Sequence, residues 1–569
     1  MRGIMRITNK IMQKNNLSNI NTNKVNEDRL STQMSTEKKI NRPSDDPVVA
    51  IRALRLRSSV TEVTQYYSKN IPDAESWLNV TQDALNNLTQ ILTNLISQCN
   101  KGANNYLESE DRAIILEQMK SLADEIYSTG DADYAGRYVF TGYRTDTTLR
   151  YTEESNQLFD IWEQLGIDSI DDMIHVYTDD LLDINSSNYM DKEVTEQDIS
   201  AVTYHRIRLA YNDCVGDDSA APSISFKQIK YKQTQQQKVD EETGLPMEDD
   251  EGNPVYETVY ERDADGNLIP ETENGKIVYE EITWSSENGD IQTVHSYDDP
   301  YAVVAENPDA IVFVPETGEL LLGENKYNQL MAIRDDETTA ANEGEIRVNY
   351  QKSHWEKGDL RPQHYFACTS DPGTEDEIKY NPDYLTKDVR EGQVIEYDVG
   401  FNQTIRVNST ADECFKHGIG REVDDLISAM QNVQDLEAVE AKLKELLKEA
   451  EGDTEKTTQI QNQLDAVGKA LTLARDKEQD LFEAGITAFQ KYLDDANLCI
   501  TNCGNRGSKL TLIENRMQTQ KTTFETLKSN NEDIDIAEVT IQLKAAGLVY
   551  EAALLAAGKV MQSTLLNYI

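Results

Sequence analysis

Six cysteines and six histidines are the residues of this chain whose types most often carry nucleophilic or metal chemistry. Zinc sites and thiol-dependent enzymes need such residues at characteristic spacings, such as HExxH or paired CxxC. Neither pattern occurs, and the closest mixed pairs are His364 with Cys368 and Cys414 with His417. We therefore predict no catalytic residues, no metal and no cofactor, with the scattered cysteines serving as structural or free thiols.

Two other clusters resemble ligand sites only in part. Cys499 and Cys503 lie four residues apart in a helical pattern, but no histidine cluster or CxxC pair completes a metal site. The stretch from Asp263 through Asp265 to Gly266 begins like a calcium loop, yet it lacks a glutamate at the twelfth position and flanking helices. We interpret the first pair as structural and the second as a turn, and we leave open whether the cysteines pair.

Charge excludes one large class of function. The formal net charge is −47 over 569 residues, and nucleic-acid binding needs clustered Lys and Arg. The acidic residues lie mainly in the middle of the chain, whereas residues 1–57 carry an excess of basic side chains.

No run of about 18 apolar residues predicts a membrane span, and residues 1–13 lack the apolar core of a secretory signal peptide.

The elements that would position functional residues are long helices at both ends. Steps of three and four place apolar residues, and one threonine, at Ala74, Trp77, Thr81, Ala84, Leu88, Ile91 and Leu95. A second row, Leu78, Leu85, Leu92 and Cys99, lies beside the first, so this helix has an apolar face broad enough for a bundle. After a polar break at 101–105, the apolar pattern resumes at Ile115 and predicts a helical hairpin.

The C-terminal segment has the same periodicity. Its seam comprises Ile536, Val539, Leu543, Ala546, Tyr550, Ala553, Ala557 and Val560. Alanines and glycines recur between 545 and 558, and such small residues let neighbouring backbones approach closely. This pattern favours dense packing in a polymer, although a C-terminal helix docked on its own domain is the simpler alternative.

The segment 42–47 (RPSDDP) is the sharpest local signal. Asp46 is placed to cap a helix that has Pro47 as its first residue, and Pro43 ends what precedes it. The preceding residues 5–34 are rich in Asn, Thr, Ser and Gln with a weak apolar pattern. Such a segment buries too little apolar area to offset its ordering entropy, so we expect residues 1–45 to be disordered in the monomer and to fold on assembly.

Several segments of the chain resemble a known protein family. Segment 42–47, the helix 67–95 and the segment YAGRYVFTG at 134–142 resemble the flagellin superfamily, as do 504–516, 533–539 and 563–569 near the other end. The similarity covers about 40% of the chain and is greatest to the hook-filament junction branch, the hook-associated protein 3 family. True flagellin, the filament subunit, is the alternative.

The resemblance implies a structural adaptor without enzymatic activity. Its partners would be hook-associated protein 1 and flagellin, with further copies of itself in a homo-oligomeric ring and an export chaperone before secretion, and with no nucleic acid and no membrane. It would be an extracellular part of the bacterial flagellum, exported by the flagellar type III system without a cleaved signal peptide. The family's usual beginning matches Met5 rather than Met1. The assembly residues we select are Arg42, Pro43, Asp45, Asp46, Pro47, Trp77, Leu88, Ile91, Leu95, Ile536, Val539, Leu543, Tyr550, Val560, Leu565 and Leu566.

The middle of the chain departs from the family pattern. Residues 240–290 contain many acidic side chains, with turn signals such as Asn274-Gly275 and Asn288-Gly289 between short apolar runs, which predicts hairpins. We expect a β-rich insert that projects outward; an enzyme or carbohydrate-binding module there is a minority hypothesis. A strand is expected at 399–408.

The predicted fold class is therefore mainly α with a β-rich insert, in which the N- and C-terminal helices pair into a coiled-coil or bundle rod. The predicted segments are 1–45 for assembly, 46–144 for the N-terminal rod helices, 145–390 for the acidic insert, 391–420 for a β segment of the rod, 421–478 for an added helical hairpin, and 479–569 for the C-terminal helices.

Overall fold

The computed structural model describes residues 9–103, 109–216, 222–238, 254–263, 266, 268–273, 276–332, 346–385, 393–450 and 452–562. The chain forms two compact units. The first comprises residues 1–76, 396–406 and 506–569, and the second comprises 77–395 and 407–505. Both units combine residues from the two halves of the sequence, and helices α3 and α9 contribute to both.

Helices dominate both ends of the chain, as predicted. They are α1 (Asn9–Thr36), α2 (Pro47–Gln65), α3 (Ile71–Gly102), α4 (Ser109–Gly130), α5 (Pro300–Glu306), α6 (Glu324–Met331), α7 (Ala411–Cys414), α8 (Gly418–Glu449), α9 (Thr454–Glu532) and α10 (Ile536–Gln562). The predicted face of α3 is confirmed, because both of its apolar rows are buried. Helix α1 forms despite its weak apolar pattern, while its disorder in the free monomer stays a prediction.

The middle of the chain is β-rich, which confirms the predicted fold class. The strands are β1 (Asp133–Tyr134), β2 (Arg137–Tyr138), β3 (Phe159–Leu165), β4 (Ile170–Tyr177), β5 (Ser200–Arg208), β6 (Ser223–Ile229), β7 (Gln233–Gln237), β8 (Tyr256–Tyr260), β9 (Thr272–Glu273), β10 (Lys276–Ile277), β11 (Tyr279–Ser285), β12 (Ile291–Thr293), β13 (Ile311–Val314), β14 (Glu319–Leu322), β15 (Ile346–Lys352), β16 (Ala367–Ser370), β17 (Ile378–Tyr380), β18 (Glu396–Gly400) and β19 (Gln403–Arg406).

Two larger sheets organise these strands. The six-stranded sheet has the order β11-β6-β15-β3-β16-β17 and is antiparallel throughout. The five-stranded sheet has the order β12-β13-β14-β5-β4, with one parallel pair, β12–β13. Strands β13 and β14 are buried on both faces, as expected for central strands. Asn288-Gly289 connects strands of different sheets, so our hairpin prediction there was wrong, whereas β9 and β10 pair across 274–275.

The β-rich insert shares its core with the helices of the second unit. Leu181, Ile184 and Ile199 lie in one buried cluster with residues of α8 and α9 such as Val433 and Val467. The insert and the helices therefore bury this cluster together. Whether it projects outward stays a prediction.

Two sequence boundaries differ in the structure. The predicted strand 399–408 is instead a hairpin of β18 and β19, because Asn402 turns the chain with a φ of +51°. The boundary that we placed between 478 and 479 lies inside α9, which runs for 79 residues without a proline. The added hairpin therefore consists of α8 and the first part of α9.

Candidate assembly interface

Helices α1 and α10 of the first unit pack together as an antiparallel pair. Thr540 Oγ1 lies 3.6 Å from Met34 Sδ, and Gly547 lies beside Glu27. The inward side of α1, which is at least partly buried, is mixed in polarity; it consists of Asn16, Ile20, Asn23, Glu27, Leu30 and Met34. Half of these side chains are polar, so the pair buries little apolar area and gains only modest stability from it.

The outward side of α10 is more apolar than the side of α1 that α10 covers. Ile541, Leu548 and Leu555 recur every seven residues and are 69%, 68% and 70% exposed, with exposed Ala545 and Ala552 between them. At 100° per residue these five lie opposite the seam that faces α1. We call them the outer seam. The stretch 536–559 has a mean hydropathy of 1.3, and only 6% of it is buried in the chain. By length and composition alone, this helix is also apolar enough to cross a membrane.

The turn before α2 has the predicted cap. Asp46 accepts hydrogen bonds from the backbone N–H groups of Val48 and Val49 at 3.0 and 3.1 Å, and Pro47 is the first helical residue. Asp45 accepts from the backbone N–H of Arg42 at 2.9 Å, which closes the turn. The two carboxylates therefore fix the direction in which the chain enters α2.

Helix α2 exposes three of its larger apolar side chains near its N-terminus. Val48, Ile51 and Leu54 are exposed, whereas Ala50 and Ala53 are buried. The first two turns of α2 thus carry an exposed apolar stripe, whereas Val63 near the end of the helix is fully buried. Such surfaces are typical of association sites.

The C-terminal end of α9 holds this unit together. Glu532 accepts two hydrogen bonds from Arg57, and the backbone N–H of Lys39 donates to the Glu532 carbonyl at 2.7 Å. The hydrogen bond with Arg57 is the main reason that the pKa of Glu532 lies below its ordinary value. Next to it, Lys38 pairs with Asp533 and lowers the pKa of that carboxyl as well.

The hairpin β18–β19 packs on the same unit. The ring of Phe401, at the tip of the hairpin, packs edge to face on the ring of Tyr66, with 5.7 Å between the ring centroids. The Phe401 centroid lies 6.5 Å from that of Phe524 on α9. Asn70 donates to the carbonyl of Asp398 at 2.8 Å. These contacts join three separate stretches of sequence, which periodicity could not have indicated.

The predicted assembly residues that the structure describes fall into three groups. Trp77, Leu88, Ile91 and Leu95 are buried in the core of this chain, so any effect on assembly would come through the shape of α3. On α10, Val539 is buried, Leu543 and Tyr550 are half-buried on the α1 side, and Ile536 is exposed. Arg42, Pro43, Asp45 and Pro47 are exposed around the half-buried Asp46. The Val560 side chain, Leu565 and Leu566 lie outside the described residues.

Sequence reasoning missed the outer seam and the stripe on α2. The seven-residue spacing of Ile541, Leu548 and Leu555 was visible in the sequence. It was overlooked because a seam of period 3.5 alone does not tell which of two apolar faces is covered within the chain.

The second unit contains a polar cavity of about 440 Å³. It lies between the five-stranded sheet and helices α8 and α9, and Tyr204, Arg206, Glu319, Asp425 and Lys477 are among its lining residues. The Arg206 guanidinium bonds to both carboxylates. Burial would raise the pKa of Asp425, but Arg206 and a neighbouring arginine outweigh it and hold that pKa below its ordinary value.

The cavity suits structure better than catalysis. A general acid and base need two groups with opposed pKa shifts and access to a substrate, whereas these two carboxylates are both held in ion pairs with Arg206. Among the residues that the structure describes, no three His, Cys, Asp or Glu side chains are placed to hold a metal ion. The cavity therefore gives the enzyme hypothesis no specific support.

Comparisons with known proteins point to the flagellum. Residues 7–145 match the bacterial flagellin N-terminal helical region. The chain is 28% identical over 143 residues to flagellar hook-associated protein 3 of Salmonella typhimurium, which covers 25% of this chain and 45% of that protein. It is 27% identical over 154 residues to the Escherichia coli protein of the same name, covering 27% and 48%. The chain thus matches about half the length of these relatives.

Flagellin itself is a more limited match. The flagellin of Clostridium tyrobutyricum is 28% identical over 122 residues, covering 21% of this chain and 32% of that protein. Among solved structures, a flagellar hook-associated protein of Vibrio parahaemolyticus aligns over 86% of this chain and 100% of its own, at 12% identity and a TM-score of 0.31. So low a score carries no argument about this chain.

Proposed function

From the premise that this chain is a relative of flagellar hook-associated protein 3 with a flagellin-type N-terminal region, we propose that it is a structural subunit of the bacterial flagellum at the junction of hook and filament. Copies assemble as a ring and connect hook-associated protein 1 to flagellin. The protein is exported by the flagellar type III route. It has no enzymatic step in this role.

The observation that carries the proposal is the outer seam of α10. A soluble monomer gains nothing from exposing a regular row of Ile and Leu along a helix, because each contributes about 1.5–3 kcal/mol when buried. In a ring, neighbouring copies of the helix pair cover this row. The polar, weakly packed inner face of α1 agrees with terminal helices that order fully only in contact with neighbours.

The choice of junction protein over filament subunit is tested by location. Gold-labelled antibodies against residues 150–380, applied to intact flagella of the source organism, are expected to label a single band at the filament base. Label along the whole filament would instead identify a flagellin. Absence of label from flagella, with the protein retained in the cell, would overturn the flagellar role itself.

A loss-of-function experiment complements the location. A strain that lacks the gene is expected to secrete flagellin into the medium and to carry hooks without filaments, and the full-length gene restores attached filaments. Normal filaments in the deletion strain would contradict the junction role.

A further inference from the structure

The second unit places two cysteines from distant parts of the sequence beside each other. Cys414 is the last residue of α7, and Cys499 lies on α9, roughly 85 positions later. Cys499 Sγ lies 3.5 Å from the carbonyl oxygen of Glu413, the residue before Cys414. The Cys499 side chain is therefore a direct neighbour of the Cys414 thiol. In the structure both are thiols.

We propose that Cys414 and Cys499 are a site of covalent modification, at which a small-molecule disulfide oxidant converts the two thiols into an intramolecular disulfide. The cross-link joins α7 to α9 and encloses α8. This property is separate from the junction role and does not depend on it.

The contact distinguishes this pair from the other cysteines. Cys503, one turn further along α9, points to a different neighbour, because its Sγ lies 3.3 Å from the carbonyl oxygen of Leu78. Cys99 lies near Gly485, on the α3 side of α9. A disulfide needs sulfur atoms about 2.05 Å apart, and because Cys499 Sγ already lies beside the residue that precedes Cys414, rotation of the two side chains could bring the sulfurs together.

The exposure of the two thiols sets the order of events. Cys499 is 8% exposed and Cys414 is 1% exposed. The Cys499 thiolate attacks one sulfur of the oxidant, for example oxidised glutathione, and displaces one glutathione thiolate. The Cys414 thiolate then attacks the Cys499 sulfur of the mixed disulfide and displaces the second glutathione. The two protons from the cysteines go to the two glutathione molecules, so that one disulfide is reduced as another forms.

Burial makes this reaction slow in the folded chain. Contact with Cys499 and burial both raise the pKa of the Cys414 thiol well above its ordinary value, which keeps it protonated. We therefore expect the cross-link to form faster while the chain folds, when both thiols are exposed, than after folding is complete.

The test uses full-length purified protein. Reduced protein is unfolded in urea, refolded with a mixture of oxidised and reduced glutathione, alkylated and digested, and the peptides are identified by mass spectrometry. We expect a linked pair of peptides containing Cys414 and Cys499, with two of the six thiols lost to the alkylating reagent. A parallel sample oxidised in the native state is expected to give the same link more slowly.

Matched variants make the assignment specific. Cys499→Ser is expected to abolish the link and Cys503→Ser to preserve it, with helical content measured by circular dichroism to verify folding. The principal readout remains the peptide map of the unchanged chain, so a variant that misfolds does not decide the result. All six thiols alkylated after refolding, or links distributed equally over Cys499 and Cys503, would overturn the proposal.

Discussion

The Glu532 carboxylate accepts hydrogen bonds from both Nε and Nη2 of Arg57, at 2.7 and 2.8 Å. This bidentate pair joins positions 475 residues apart, at the end of α9 and within α2. The Glu532 side chain is only 4% exposed, whereas that of Arg57 is 56% exposed. The pair therefore links residues from the two ends of the sequence, and its arginine is the more solvent-exposed partner.

Arg57→Ala is expected to lower the stability of the first unit. The variant leaves Glu532 with Lys38 at 3.9 Å as its remaining ion-pair partner. Solvent screening of the exposed arginine limits the expected loss to about 1 kcal/mol. Arg57→Lys should recover only part of it, because lysine cannot form the two parallel bonds. Limited proteolysis between residues 36 and 46 should become faster in Arg57→Ala.

Arg52→Ala is the matched control, since Arg52 is an exposed arginine on the same helix. Equal cleavage rates in the two variants would contradict the role of the pair.

The pair of Arg57 and Glu532 also predicts that the stability of the first unit depends on pH. Because the folded pKa of Glu532 is lowered, its stabilisation is complete above the ordinary value of 4.5 and is lost as the pH falls through the lowered pKa.

Leu548→Glu tests the outer seam. Leu548 is 68% exposed in the single chain, so the variant should fold with unchanged helical content. In the proposed ring it would bury a charge in an apolar contact, which should weaken association on the order of 10- to 100-fold. The measurement is the fraction of cells with attached filaments after complementation of the deletion strain.

Gln542→Glu is the control for Leu548→Glu. It adds the same charge to an exposed position of α10, roughly 100° from the centre of the outer seam. We expect filaments to attach nearly as in the unchanged protein. If both variants attach filaments equally well, the outer seam is not an assembly surface.

The features that could be predicted from the sequence are those that local residue patterns determine. The cap at Asp46 and Pro47 depends on neighbours within three residues, and the buried rows of α3 follow helical periodicity. The hairpin β18–β19 was missed because Asn402, rather than glycine, adopts the left-handed conformation at the turn. The contact of Phe401 with Tyr66 was beyond local reasoning, since it depends on how distant segments pack.

Glu163 predicts a pH dependence in the second unit. Its carboxylate is buried on β3, where it accepts hydrogen bonds from the Tyr350 hydroxyl and from the backbone N–H of Ala210 at 2.8 Å. Burial raises its pKa to about 7. The folded chain thus holds this proton more tightly than the unfolded chain does, so the group increasingly destabilises the fold as the pH rises from about 4.5 to about 7.

Glu163→Gln should remove this dependence. Its stability relative to the unchanged protein is expected to be higher at pH 8 than at pH 5, by about 2–3 kcal/mol, because Gln keeps an acceptor oxygen without a charge. Urea unfolding at the two pH values measures the difference. Glu154→Gln, at an exposed position nearby, is the control. The same pH dependence in both variants would assign the effect to other groups.

Arg112 is expected to be the most sensitive charged residue of the helical core. It is 2% exposed; its Nε lies 2.9 and 3.1 Å from the Glu478 carboxylate oxygens, and its Nη1 lies 2.9 Å from Glu437. Burial raises the pKa of Glu478, and Arg112 opposes that shift. Arg112→Ala leaves the buried Glu478 without its partner and should cost about 3–5 kcal/mol.

The double variant Arg112→Met with Glu478→Leu distinguishes the loss of a partner from the loss of the pair. Replacing both charges by apolar groups of similar volume is often nearly neutral, so most of the stability should return. Glu437 keeps a hydrogen bond from Arg475 at 2.8 Å in that variant. Urea midpoints of the single and double variants measure the difference. A double variant as unstable as Arg112→Ala would show that the ion pair itself, rather than the cost of an unpaired carboxylate, stabilises the contact between α4 and α9.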